Sequence, residues 1–294
     1  MEDLLAVEGL AKRYDGFALE DIAITVPSGT VVGLIGSNGA GKTTTLKALL
    51  GMIEADGKRG RILGQAIEAA PDDLKQCIGV VLDTCSFPES LCVREVGALG
   101  QAAYRRWDAS LFASLVAGFG LEPRKTVKQL SRGMGMKLSL AFALAHHPQL
   151  LVLDEATAGL DPLARDEMLD LLRRFMEEDG HGILMSTHIT TDLEKIADEI
   201  ICIDGGRIIF DLPKEAICDR AGIARCRTAD LEALEADGFL ASEGVRYLAG
   251  SYSTDLLVPD RFAFAEAYPK IAVDRASVEE YMALRLKGQK GGSL

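Results

Sequence analysis

The chain has little positive charge, few aromatic residues and no long apolar run. Its 32 lysines and arginines face 44 aspartates and glutamates, a formal net charge of −12 over 294 residues. Duplex nucleic acid is gripped largely through Lys and Arg on phosphates, so this balance argues against a nucleic-acid partner. It argues equally against direct adhesion to anionic lipid. No stretch reaches the roughly 18 consecutive apolar residues that a membrane-spanning helix needs, so a role across a membrane would require another polypeptide. The opening MEDLLAVEGLAKRYDG carries acidic residues and no apolar segment, and does not read as a signal peptide. Cys77, Cys85, Cys92, Cys202, Cys218 and Cys226 form no CxxC pair. Scattered reduced thiols are the first reading and a metal site the alternative. Internal repeats and low-complexity tracts are also absent.

What is present suits a soluble globular enzyme: 48% hydrophobic and 26% charged residues. Short apolar runs read as strands at Leu4–Val7, Phe17–Val26 (one strand or two), Thr30–Ile35, Cys77–Leu82, Leu150–Leu153 and Gly182–Ser186. Helical patterns cover about Lys42–Leu50, most of Arg94–His147, and about Pro162–Glu178. Glu199–Phe210 reads as a hairpin turning at Asp204-Gly205-Gly206. Strands alternating with helices imply a mostly parallel sheet covered on both faces. After about Asp211 the character changes. Residues 211–294 carry no nucleotide motif and follow the order β-α-β-β-α-β of a split βαβ unit. Lys287–Leu294 reads as a polar tail that frays.

Gly36-Ser37-Asn38-Gly39-Ala40-Gly41-Lys42-Thr43 fits GxxxxGK[ST] between an apolar strand and a helix. Glycines let backbone N–H groups curl around phosphates, and the following helix aims its positive end at the same anion. Lys42 reaches the β- and γ-phosphates, the Thr43 hydroxyl holds Mg²⁺, and Thr44 adds an α-phosphate contact. Further on, Leu150-Leu151-Val152-Leu153 ends in Asp154-Glu155. Strands of a parallel sheet carry functional groups at their C-terminal ends. Asp154 then faces the metal, usually through water, and Glu155 polarises the attacking water as base or positioning group. The cofactors expected are ATP and Mg²⁺.

Between these motifs lies Leu130-Ser131-Arg132-Gly133-Met134, with Ser131 24 positions before Glu155 (155 − 131). The order phosphate loop, LS-x-G, apolar-DE, Gly159-Leu160-Asp161, Ser186-Thr187-His188 resembles ATP-binding cassette (ABC) ATPases over about residues 4–210. The resemblance implies an α/β P-loop NTPase core with a mostly parallel sheet, an N-terminal antiparallel β subdomain and a helical signature subdomain at about 88–147. It places the ATP-binding domain at 1–210, and the β-α-β-β-α-β pattern makes 211–294 a small C-terminal α+β domain of ferredoxin-like order. It implies a head-to-tail homodimer, or a heterodimer with a second ABC ATPase, with two ATPs at the interface. Each nucleotide would meet the phosphate loop of one copy and Ser131 and Gly133 of the other. It implies that His188 contacts the γ-phosphate, that Asp161 lies on a loop crossing the dimer interface, and that Tyr14 stacks on adenine. Local chemistry offers plainer readings beside these. Ser131 and Asp161 are good N-caps, and Tyr14 sits near a turn.

The chain departs from the family pattern in three places. Asp83 stands where Gln is usual, so a metal role there brings a charge and a shorter reach. The signature reads LSRGM, and Ala156 follows the DE pair where Pro is common. LSRGM with DEATAGLDP resembles bacterial ABC-2-type drug or peptide exporter ATPases. That implies a separately encoded membrane permease, attachment to the cytoplasmic face of the membrane through it, and export. The loop Asp83–Pro88 would line a groove for a cytoplasmic helix of that permease. Two other readings stand beside this one: a soluble ABC ATPase of translation, repair or cluster assembly, and a module that senses ATP without efficient turnover.

Overall fold

The computed structural model describes residues 3–67, 72–250 and 253–290. Its centre is a six-stranded sheet in the order β10-β9-β3-β8-β7-β6. Here β3 is Val31–Ile35, β6 Ile78–Val81, β7 Leu150–Asp154, β8 Gly182–Thr187, β9 Glu199–Asp204 and β10 Arg207–Pro213. The pairs β6/β7, β7/β8, β8/β3 and β3/β9 are parallel, and β9/β10 is the antiparallel hairpin. Every residue of β3, β7 and β8 is buried, which is why these strands are continuous apolar runs rather than alternating ones. The hairpin turns on Gly205 (φ 51°) and Gly206 (φ 76°). Positive φ at both central residues is what a tight two-residue turn demands.

A second, antiparallel sheet, β2-β1-β4-β5, leans on the first. The strand read at Leu4–Val7 is much longer, with β1 running over Asp3–Tyr14, and Phe17–Pro27 is one strand, β2. β4 (Gly57–Ile62) and β5 (Gln65–Ala66) were not legible, because GKRGRI shows no apolar alternation. α1 (Lys42–Leu49) follows β3, and α2 (Asp72–Lys75) precedes β6. The helical stretch resolves into α3 (Val93–Ala103), α4 (Ala109–Gly118) and α5 (Arg132–Leu144), which enclose their own core around Val96, Phe112, Val116 and Leu138. α6 (Pro162–Phe175) ends three residues sooner than its pattern suggested, and α7 (Thr190–Ile196) follows β8. Among the described residues no helix is long and apolar enough to cross a membrane.

The C-terminal segment forms a third sheet, β12-β13-β11-β14, wholly antiparallel. Its elements are β11 (Gly222–Cys226), α8 (Thr228–Ala236), β12 (Arg246–Ala249), β13 (Thr254–Val258), α9 (Arg261–Ala267), β14 (Val273–Arg275) and α10 (Val278–Lys287). One face of this unit joins the main core through Ile217, Ile223, Leu257 and Tyr281. The Val278 N–H donates to Glu194 on α7 at 2.8 Å, and Tyr281 meets Phe210 edge-on at 5.2 Å. The tail read as fraying is tied down at least to Gln289, which exchanges backbone hydrogen bonds with Tyr247. Residues 291–294 of that tail lie outside the described residues.

Candidate nucleotide site

Four chain segments meet at the C-terminal edge of the central sheet. The first is the loop between β3 and α1. Gly41 caps α1 in a left-handed conformation (φ 116°), and no side chain caps the helix. A Cβ there would lie 2.7 Å from Leu19 Cδ2, so only glycine fits. The first N–H groups of α1 are left pointing at whatever anion enters. Lys42 is 6% exposed, and its ammonium donates to Gly36 O at 2.8 Å and Ser37 O at 3.3 Å. Ser37 Oγ donates to Asp204 Oδ1 at 3.2 Å, which ties the loop to β9.

The second segment is the end of β7. Asp154 is fully buried. One carboxylate oxygen accepts from Ser186 Oγ, and the other, Oδ2, has no hydrogen-bond partner. Glu155 has φ 50°, a strained conformation for a residue with a side chain. That backbone turn aims its carboxylate into the cavity. Oε1 lies 3.3 Å from Lys42 Nζ, and Oε2 lies 2.6 Å from His188 Nδ1. His188 comes from the end of β8, the third segment. A cation from the start of α1, a carboxylate from just after β7 and an imidazole from just after β8 thus form one contiguous chain.

The cavity they line has a volume of about 550 Å³, within the usual range for a small-molecule site. Ser37, Asn38, Gly39, Gly41, Lys42, Thr43, Thr44, Asp83, Glu155 and His188 all face it. Gly36 and Ala40 complete the loop without lining the cavity, and Asp154, the last residue of β7, does not line it either. The fourth segment is the loop after β6, which delivers Asp83. The Thr43 hydroxyl, the Asp83 carboxylate and the orphaned Asp154 Oδ2 are hard oxygen donors of the kind Mg²⁺ takes. A buried, unpartnered carboxylate oxygen is costly unless something satisfies it, so this donor set fits a divalent cation.

Tyr14, Ser131, Gly133 and Asp161 do not line the cavity. Tyr14 is 48% exposed at the end of β1, with Lys12 Nζ 5.6 Å from its ring. The aromatic that does line the cavity is Phe17, its cross-strand neighbour. Ser131 N-caps α5, its Oγ accepting from Met134 N at 3.3 Å. Asp161 N-caps α6, accepting from Ala164 N at 3.0 Å, with Pro162 next in line. These two caps form one neighbourhood: a Cβ on Gly133 would meet Leu160 at 2.8 Å, and one on Gly159 would meet Arg132 at 3.6 Å. Phe17, Arg132, Ala158 and Gly159 also line the cavity. Arg132 and Gly159 fall within the LS-x-G and Gly-Leu-Asp motifs of the sequence, whereas Phe17 and Ala158 were not named as site residues there.

Comparison with known proteins agrees with this geometry. Residues 19–158 match the family model described as ABC transporter. The daunorubicin/doxorubicin resistance ATP-binding protein DrrA of Streptomyces peucetius is 32% identical over 248 residues, covering 81% of this chain and 75% of that protein. The bacitracin transport ATP-binding protein BcrA of Bacillus licheniformis is 31% identical over 216 residues, covering 72% and 71%. Among solved structures, an ATP-binding subunit of an ABC transporter superposes with a TM-score of 0.67 at 31% identity, covering 73% of this chain and 91% of its own.

Proposed function

The chain belongs to the ABC transporter family of ATP-hydrolysing subunits, and from that premise we propose that it powers export through a separately encoded membrane permease. The observation that carries the reading is the contiguous chain Lys42–Glu155–His188 at the mouth of the phosphate loop. An incoming triphosphate takes the loop N–H groups and competes with Glu155 for the Lys42 ammonium. Phe17 or Tyr14 supplies a flat face for adenine. Thr43, Asp83 and Asp154 would hold Mg²⁺, which would supply positive charge beside the phosphate oxygens. Glu155, released from Lys42, accepts a hydrogen bond from the attacking water, and His188 holds Glu155 through Nδ1 and contacts the γ-phosphate.

Ser131, Gly133 and Asp161 stand away from this chain's own loop, on the α5–α6 surface. That placement suits a head-to-tail pair in which they close the site of a second copy, a homodimer or a heterodimer with another ABC ATPase. ATP then favours the closed pair through the contacts it makes only there, and hydrolysis removes them. The helical unit at 88–147 and the loop after β6 pass this motion to the permease at the cytoplasmic face of the membrane. Drug or peptide substrates are proposed by analogy with the relatives' names. Residues 1–210 are proposed as the ATP-binding domain and 211–294 as a separate small domain. The direct test is Lys42→Ala: ATP affinity measured by calorimetry should collapse while the fold persists, and undiminished binding would remove the loop from its role.

A further inference from the structure

Arg132 is the first residue of α5 and stands at the unfavourable end of its helix. The N-terminus is the positive end of the helix dipole, so a cation in the first turn is repelled there. No acidic residue in the first turn of α5 offsets it. The side chain finds no acid elsewhere either. Arg132 is exposed, and among the described residues its guanidinium makes no ion pair or hydrogen bond. A local rule broken without compensation points to a compensating group that arrives from outside the chain. The direction of the side chain says where. Ser131 and Gly133, on either side, do not line the ATP cavity, whereas Arg132 does. Its stem crosses Gly159, which has φ 78°. A Cβ on that glycine would lie 3.6 Å from Arg132 Cδ, 3.8 Å from Nε and 4.0 Å from Cζ. Gly159 follows the tight turn that carries Glu155, in which the Ala158 N–H donates to Glu155 O at 3.0 Å. The guanidinium therefore reaches the cavity over the segment that presents the Glu155 carboxylate.

The charges that line the cavity favour a phosphate as the missing group. Its permanent cations are Lys42 and Arg132, and its carboxylates are Asp83 and Glu155. Lys42 is already engaged by Glu155 at 3.3 Å, whereas the Arg132 guanidinium is free. A guanidinium offers paired N–H donors that match two oxygens of one phosphate, and a terminal phosphate carries the most negative charge of a nucleotide. We propose that Arg132 is a ligand for the terminal phosphate of the triphosphate bound in its own chain, so that a single chain prefers ATP to ADP. The proposal rests on the ATP-site reading given above and adds a specificity determinant to it. It also separates neighbours in one motif: Ser131 and Gly133 are assigned to a second copy, and the arginine between them serves its own.

The test measures binding of Mg-ADP and of the non-hydrolysable Mg-β,γ-imido-ATP to the full chain, diluted until sedimentation shows single chains only. Arg132→Met keeps the apolar stem over Gly159 and removes the charge. It should weaken the imido-triphosphate by about ten- to a hundredfold, the worth of a hydrogen bond to a charged group. ADP affinity should stay within about twofold of wild type, a change too small to represent a lost hydrogen bond. Arg132→Lys, a point charge without the fork, should recover part of the loss. Without nucleotide, Arg132→Met should unfold in urea no earlier than wild type, because it removes a cation from a positive helix end. Equal losses for both nucleotides, an unchanged triphosphate affinity, or earlier unfolding of Arg132→Met would overturn the proposal. So would a triphosphate effect confined to concentrations at which chains pair, since the arginine would then serve a second copy. Wild-type protein that binds neither nucleotide would sink the ATP-site reading itself, whereas wild type binding both with Arg132→Met unchanged would sink this proposal alone.

Discussion

Glu155→Gln separates binding from chemistry, and the structure sets the size of both effects. The glutamine keeps the shape of a side chain that is 13% exposed and wedged between Lys42 at 3.3 Å and His188 at 2.6 Å. What it loses is the charge. A neutral amide cannot take a proton from water, so turnover should fall by about 10²–10⁴-fold, the range general-base groups contribute. That is about 3–5 kcal/mol on the barrier. Binding should move the other way. At 3.3 Å and an effective dielectric near 20, the Lys42–Glu155 attraction is about 5 kcal/mol before desolvation. Each ~1.4 kcal/mol of that attraction made available to the incoming phosphate is worth tenfold, so ATP affinity should rise by about tenfold. Phosphate release at saturating Mg-ATP and calorimetric ATP binding read the two effects separately. Unaltered turnover, or turnover and affinity falling together, would refute the role assigned to Glu155.

Three further outcomes follow from burial and charge. Folding the chain holds the His146 pKa at about 4 against an ordinary 6.5. The unfolded chain therefore binds the extra proton between those values, and about 3 kcal/mol of stability, fully present above pH 6.5, should drain away as pH falls to 4. Urea unfolding of His146→Phe should show a shallower loss over that window, and identical slopes would contradict the burial argument. The Cys202 thiol is pushed up to about 12 and that of Cys226 to about 11, both by burial. In the native protein iodoacetamide should modify only the partly exposed Cys77, Cys85 and Cys92, and should reach Cys202, Cys218 and Cys226 only after unfolding, as read by peptide mass. Asp161→Ala removes the hydrogen bond to Ala164 N and should cost about 1 kcal/mol of stability by urea titration, with no loss of ATP binding to the isolated chain.

Some of this molecule was legible before its structure. β3, β7 and β8 are buried on both faces, so they had to be unbroken apolar runs, and the Gly-rich loop between β3 and α1 announces its own geometry. The split βαβ order after residue 211 was readable for a related reason: its strands are short, and turn residues punctuate them. What was hidden depends on contacts between distant segments. Nothing local to Glu155 says that its φ is 50°, or that Lys42 and His188 close on its two carboxylate oxygens. β4 was invisible because GKRGRI carries no apolar period. The aromatic read from the sequence was Tyr14. Phe17, three residues later, lines the cavity, because the β1–β2 hairpin places the two rings opposite each other and turns Phe17 toward the loop. Ser131 and Gly133 carry a motif whose partner, on the proposed reading, belongs to another copy, so a single chain shows them only as a helix cap and a packing contact.

The account stands most directly on sedimentation of Glu155→Gln with and without Mg-ATP. It predicts a boundary at twice the 31.5 kDa chain mass with ATP and at the chain mass with ADP. A single boundary at the chain mass in both, with the ATP site demonstrably filled, would contradict it.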